Sequence, residues 1–192
     1  MAELTKILGF AGSIRHGSYN RALIRTAVEL CPQGASIDVF NLDGFPLFSQ
    51  DYEKNPPPSV VEFKKKIMKS DALLIATPEH NYTIPSVLTN AMEWASRPYG
   101  DNSFKNKPVA IMSASTGMIA GARAQYHLRQ SLVFLEMFPL NQPEVMVPDC
   151  ADKIDEGGLV HDELTREKII ELLRALIAWA PVINFMFSTN EE

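Results

Sequence analysis

Three short segments carry the residue types and spacings that could do chemistry. The first is Gly12-Ser13-Ile14-Arg15-His16-Gly17-Ser18-Tyr19-Asn20. Gly12 and Gly17 permit tight backbone turns. Ser13, Ser18 and Asn20 supply small donors, and Arg15 supplies a fixed cation. A helix opening here adds unpaired N–H groups and the positive end of its dipole. A phosphate monoester needs such a set. The common phosphate loops do not fit. Gly17 is followed by Ser18-Tyr19 where a Walker A loop has Lys-Ser/Thr, and Gly9-Phe10-Ala11-Gly12 lacks the Gly-x-Gly-x-x-Gly spacing of a dinucleotide fold. No cysteine stands here to act as a phosphatase nucleophile. The segment reads as a cradle that binds phosphate without cleaving it. The plainer alternative is a strand-to-helix turn capped by Ser and Asn.

The second segment is Thr77-Pro78-Glu79-His80-Asn81-Tyr82-Thr83-Ile84-Pro85. Its prolines fix the backbone path, and Asn81 and Tyr82 offer a polar and a flat surface. His80 titrates near neutrality and is the tempting acid or base; a solvated histidine in a capped turn is the alternative. The third segment, Ser113-Ala114-Ser115-Thr116-Gly117, is small and rich in hydroxyl and N–H donors that could approach the polar edge of a ring. His127, beside Tyr126 and Arg129, and His161 lack metal-ligand spacing and read as structural or solvated. Trp94 and Trp179 read as core or interface, and Lys64-Lys65-Lys66 as a solvated helix face.

The elements around these segments alternate. Ile7–Ala11, Ala72–Ala76 and Val109–Met112 are uniformly apolar, as parallel strands covered on both faces should be. Ile37–Phe40 and Glu144–Val147 are weaker strand candidates. Helical patterns run over Arg21–Leu30, from a capping box Ser59-Val60-Val61-Glu62 onward, and over about 85–95, 120–137 and 165–180. The capping-box helix carries Val60, Phe63 and Ile67 on its apolar face. The order β-α-β-α-β-α-β-α-β-α gives an open, five-stranded parallel α/β sheet with helices on both faces. A strand order of 2-1-3-4-5 is the flavodoxin-like arrangement, although the pattern alone does not dictate that order. In such sheets ligands bind beyond the carboxyl ends of the strands, where all three segments fall.

The 192 residues suit one domain, 1–192, with no composition shift, repeat or low-complexity block to divide them. Hydrophobic residues make up 46% and charged residues 21%, ordinary for a globular chain. A net charge of −5 argues against binding nucleic acid by phosphate neutralisation. Cys31 and Cys150 are too few for a disulfide framework. Met1–Lys6 opens no leader-like apolar run, so a reducing cytoplasm is expected. No uninterrupted apolar stretch reaches bilayer length; the apolar segment Ala178–Phe187 is short and contains Pro181.

At this point the residues resemble a known family. Gly12-Ser13-x-Arg15-x-x-Ser18-x-Asn20, followed by Pro78-Glu79-x-Asn81-Tyr82-x-x-Pro85-x-x-Leu88-x-Asn90-Ala91, looks like the NADPH-dependent FMN reductases. Their quinone and chromate reductase branch is the nearer match. Residues 123–130 and Asn141-Gln142-Pro143-Glu144 also look like that branch. The resemblance runs from about Lys6 to about Val147, and more loosely through the last helix.

The resemblance implies a flavodoxin-like fold that holds FMN. Phosphate contacts carry over to Ser13, Arg15, Ser18, Tyr19 and Asn20. Isoalloxazine contacts carry over to Pro78, Glu79, Asn81 and Tyr82, and a third flavin contact to Ser115, beside Thr116 and Gly117. His80 departs from the branch, which commonly has Tyr there; backbone contacts to the flavin should survive the change. The implied reaction takes a hydride from NADPH or NADH to the flavin and passes two electrons to a quinone on the same face, giving ping-pong kinetics with no metal and no protein nucleophile. Backbone N–H groups of the second and third loops would stabilise the reduced ring. A homodimer or homotetramer is implied, with Arg123, Tyr126 and Glu144 at the contact; an Arg123 without a partner is the alternative. Chromate, azo compounds and ferric chelates are expected as incidental acceptors of an exposed reduced flavin. Other readings are a flavin reductase releasing reduced FMN, a flavodoxin-type electron carrier, and a silent protein that keeps the fold.

Overall fold

A computed structural model describes residues 4–188. The outermost residues of the expected domain 1–192, and the first three of the Met1–Lys6 reading, lie outside them. The elements are β1 (Thr5–Ala11), α1 (Tyr19–Glu29), β2 (Ala35–Phe40), α2 (Pro58–Lys69), β3 (Ala72–Ala76), α3 (Ser86–Ala95), β4 (Pro108–Ala114), α4 (Ala122–Phe134), β5 (Phe138–Pro139), β6 (Val145–Val147) and α5 (Glu163–Ser188).

All strand pairs are parallel and the order is β2-β1-β3-β4-β5, with β6 also on β4. The outer position is shared. β5 pairs with Pro108 and Val109, and β6 with Met112 to Ala114. The expected fifth strand, Glu144–Val147, is thus the second half of an edge interrupted by Leu140–Glu144.

Alternation along the strands builds two cores. Ile7, Leu74, Ala76, Ala110 and Met112 face α1 and α5. Leu8, Phe10, Leu73, Ile75, Val109 and Ile111 face α2, α3 and α4. Both faces of β1, β3 and β4 are therefore dry, which is why their sequences read as unbroken apolar runs.

Three local expectations are corrected. The Ser59–Glu62 capping box does not form: the chain turns at Pro57, no side chain caps α2, and Ser59 lies within its first turn. Pro57 and Pro58 preset the backbone one residue earlier than serine capping would. Lys64 is not solvated. Its Nζ donates to the Asp101 carboxylate at 2.6 Å and to the Arg97 and Asp101 carbonyls, clamping the 97–101 turn onto α2. The last helix continues through Pro181 to Ser188, so among the described residues α5 is long and apolar enough to cross a bilayer by length and composition. Its stripe of Ile169, Leu172, Leu173, Leu176, Ala180 and Ile183 is buried, most of it against the sheet.

Candidate functional site

The carboxyl ends of β1, β3 and β4 open onto one cleft of about 560 Å³. Its walls include Ser13, Arg15, Ser18, Tyr19 and Asn20 from the first loop, Pro78 and His80 from the second, and Ser115 and Thr116 from the third. The adjacency of β1, β3 and β4 brings the three segments together.

The first loop folds as a turn, with the Ser18 N–H donating to the Arg15 carbonyl at 3.1 Å. Ser18 is the N-cap of α1, and its Oγ accepts the Arg21 N–H at 3.3 Å. Among the described residues the N–H groups of Tyr19 and Asn20 have no acceptor, as expected for a first helical turn. Arg15 is exposed, lies 5.2 Å from the centre of the Tyr19 ring, and faces the same space. Cation, serine hydroxyls and helix N-terminus thus converge as an anion site should.

Gly12 and Gly17 do not act as expected. Neither has a positive φ. Gly12 is needed for close packing: a Cβ there would meet Leu88 and Pro85 at 3.1 Å. Gly17 faces open space.

The Asn20 side chain points elsewhere than a phosphate. Its Oδ1 accepts the Ala114 N–H and its Nδ2 donates to the Ala114 carbonyl, both at 3.0 Å and buried. Asn20 therefore ties the start of α1 to the end of β4, and only its backbone N–H is left for an anion.

The second loop is a tight hairpin. His80 and Thr83 exchange two backbone hydrogen bonds of 2.9 Å. Asn81 and Tyr82 between them have φ of 50° and 65°, as the primed hairpin turn with two left-handed residues requires. Asn tolerates that region; Tyr rarely adopts it. Glu79, Asn81 and Tyr82 do not line the cleft. The Glu79 carboxylate instead faces the start of α4, accepting the Arg123 and Ala124 N–H groups at 3.1 and 3.4 Å and pairing with the Arg123 guanidinium at 2.9 Å. Arg123, read as either pairing with another subunit's Glu144 or standing alone, has a partner in its own chain. The His80 ring is exposed on the cleft wall and, among the described residues, makes no hydrogen bond.

In the third loop the Ser115 N–H donates to Val147, and the Gly117 N–H to the Ser115 Oγ at 3.1 Å. Thr116 keeps its N–H without an acceptor among the described residues, whereas Gly117 does not line the cleft. Sequence reasoning missed Ser86 and Val87, which wall the cleft from the first turn of α3. Pro85, read as a residue of the helix, is its N-cap, and that was the available signal. The branch-like segment 123–130 proves partly structural: buried Gln125 donates from Nε2 to the Ser113 Oγ (2.8 Å) and the Val145 carbonyl (2.9 Å), joining α4 to β4 and β6.

The cleft's donor set fits FMN. The cleft's lining combines first-turn N–H groups without acceptors among the described residues, Arg15 and serine hydroxyls with small loop residues that include Thr116. Residues 5–152 match the family model of the NADPH-dependent FMN reductases. An NAD(P)H-dependent FMN reductase of Pseudomonas aeruginosa is 47% identical over 93% of this chain and 97% of its own. A NAD(P)H:quinone oxidoreductase of Solanum tuberosum is 41% identical over 91% of this chain and 92% of its own. Among solved structures, the flavoenzyme NAD(P)H:(acceptor) oxidoreductase FerB of Paracoccus denitrificans superposes with a TM-score of 0.85 at 31% identity, covering 93% of this chain and 98% of that one. By motif, cleft and these likenesses, the chain belongs to the NADPH-dependent FMN reductase family.

Proposed function

We propose that this protein is an FMN-dependent NAD(P)H:quinone oxidoreductase. The observation that carries the reading is the meeting of an anion-binding helix start with two small donor loops at one open cleft. FMN bound there supplies hydride acceptance from NAD(P)H and two-electron delivery to the acceptor. Arg15, the Ser13 and Ser18 hydroxyls and the N–H groups of Tyr19 and Asn20 hold the phosphate. Pro78, the His80–Thr83 hairpin, Ser115 and Thr116 would hold the ring end, with Glu79 and Tyr82 tying that hairpin to Arg123 of α4 and Gly117 shaping the third loop. Thr116 lines the cleft, and its N–H, without an acceptor among the described residues, would be a donor available to the ring end.

A single cleft would give donor and acceptor the same docking face. Initial rates with NADPH and a benzoquinone varied together should give parallel double-reciprocal lines. Intersecting lines would require two separate sites and would overturn the shared-face reading.

Exposure of the site favours a broad acceptor range that includes chromate, azo compounds and ferric chelates. Self-association as a dimer or tetramer belongs to the same reading. It is supported by exposed Tyr126, Val133 and Phe134 on α4, by half-buried Glu144, and by an Arg123 side chain that stays 43% exposed. A cytoplasmic location is supported by two free cysteines.

A further inference from the structure

We propose that Arg123 is a positioning residue for the flavin-side loop, acting from α4 through Glu79 and Tyr82 within one subunit. The inference rests on the proposed flavin site and goes beyond it, because Arg123 does not line the cleft.

Five contacts support it. The guanidinium pairs with Glu79 at 2.9 Å and lies 4.2 Å from the centre of the Tyr82 ring. Both Glu79 oxygens are engaged, one by the guanidinium and the other by the Arg123 and Ala124 N–H groups at the positive end of α4. The Glu79 side chain is only 12% exposed, so this is not a loose surface pair. One turn further along α4, His127 Nδ1 is hydrogen-bonded to Thr83 Oγ1 at 3.0 Å. The hairpin is therefore fastened to α4 on both sides of its tip.

The hairpin needs such fastening. Tyr82 holds a left-handed conformation that an aromatic residue adopts only when its surroundings fix it. Tyr82 is 67% exposed, so core packing does not supply the restraint. Arg123 does, by a cation–π contact with the ring and a charged hydrogen bond to Glu79. The helix start that receives Glu79 is itself specified: Gly121 has a φ of 81°, and a Cβ there would meet the Ser113 Cβ at 2.8 Å.

The test uses the full-length protein loaded with FMN, with Arg123→Gln, Arg123→Lys, Glu79→Gln and the double variant Glu79→Gln/Arg123→Gln. FMN affinity is read by flavin fluorescence and the ring environment by visible absorbance. Urea midpoints separate loop effects from loss of fold. Arg123→Gln should bind FMN about five- to thirtyfold more weakly and shift the flavin bands, with the urea midpoint nearly unchanged. Arg123→Lys should recover only part of the loss, since a compact ammonium makes a weaker contact with an aromatic face than a guanidinium does. In the Glu79→Gln background the Arg123→Gln loss should be smaller than in wild type, because the two act as one unit. Unchanged affinity and bands in Arg123→Gln, whatever its elution volume, would overturn the proposal, as would simple additivity in the double variant. These readouts need neither NAD(P)H nor quinone. A wild-type protein that binds FMN but turns nothing over would therefore refute the proposed function and leave this result standing.

Discussion

Asn20 separates a structural from a ligand-binding role. In the sequence it looks like a phosphate donor, yet in the fold its amide makes two buried hydrogen bonds with the Ala114 backbone. Asn20→Ala strands a donor and an acceptor at a residue 2% exposed, where water cannot easily replace the lost partner. Two such groups cost about 2–4 kcal/mol together. For 192 residues the Tm falls by roughly 2–4 °C per kcal/mol. Asn20→Asp sharpens the test. Its carboxylate can still accept the Ala114 N–H but sets a second oxygen against the Ala114 carbonyl. At neutral pH it should be at least as destabilised as Asn20→Ala. The folded state then prefers the protonated acid, which can donate to that carbonyl, so its carboxyl pKa is raised. Stability relative to wild type should accordingly recover as pH falls through that raised value. Urea unfolding of the FMN-free proteins from pH 7 to pH 5 measures both effects. An Asn20→Ala protein within about 0.5 kcal/mol of wild type, but with weakened FMN binding, would refute the assignment and return the side chain to the phosphate.

Arg15→Ala should do the opposite, weakening FMN binding by roughly 10–100-fold with the urea midpoint of the FMN-free protein unchanged; fluorescence titration and denaturation together check it. Asp162 accepts the Thr165 N–H at 3.0 Å and its hydroxyl at 2.6 Å, and these bonds hold its carboxyl below the ordinary range. Its stabilising contribution is therefore present above the unfolded value, about 3.9, and lost as pH falls through the lower folded value. Asp162→Ala should cost about 1 kcal/mol at pH 7 and less once Asp162 is protonated in both the folded and the unfolded state, as read by urea unfolding at the two extremes. Burial pushes the Cys150 thiol from 9.0 up to about 11. With the folded value raised, that contribution is whole below the unfolded value and lost as pH rises through the folded one. Stability should fall by up to about 3 kcal/mol across this alkaline window, a slope that Cys150→Ala removes.

Much of the fold is legible because burial leaves direct marks. β1, β3 and β4 are covered on both sides, and their sequences lack alternation for that reason. β5 is two residues long, too short to leave a pattern, so the divided outer strand stayed hidden. Pro181 looked like a helix end, but α5 continues past it to Ser188. Side-chain direction was the harder matter. Residue type marked Asn20 and the family resemblance marked Glu79 as site groups, and both do shape the cleft's edge. They do so through Ala114 and Arg123, contacts made across 94 and 44 residues of chain. No local pattern encodes a partner that distant. Lys64 shows the same effect: a run of three lysines looks solvated until a turn more than thirty residues later folds against one of them.

The central claim is that this cleft takes electrons from NAD(P)H through FMN and gives them to a quinone. The most direct measurement loads the protein with FMN, removes the excess, excludes oxygen, adds NADPH, and follows the flavin's visible absorbance. Rapid bleaching that a stoichiometric quinone reverses is the expected result. A bound flavin that neither NADPH nor NADH bleaches would contradict the claim and leave a carrier that needs a protein electron donor.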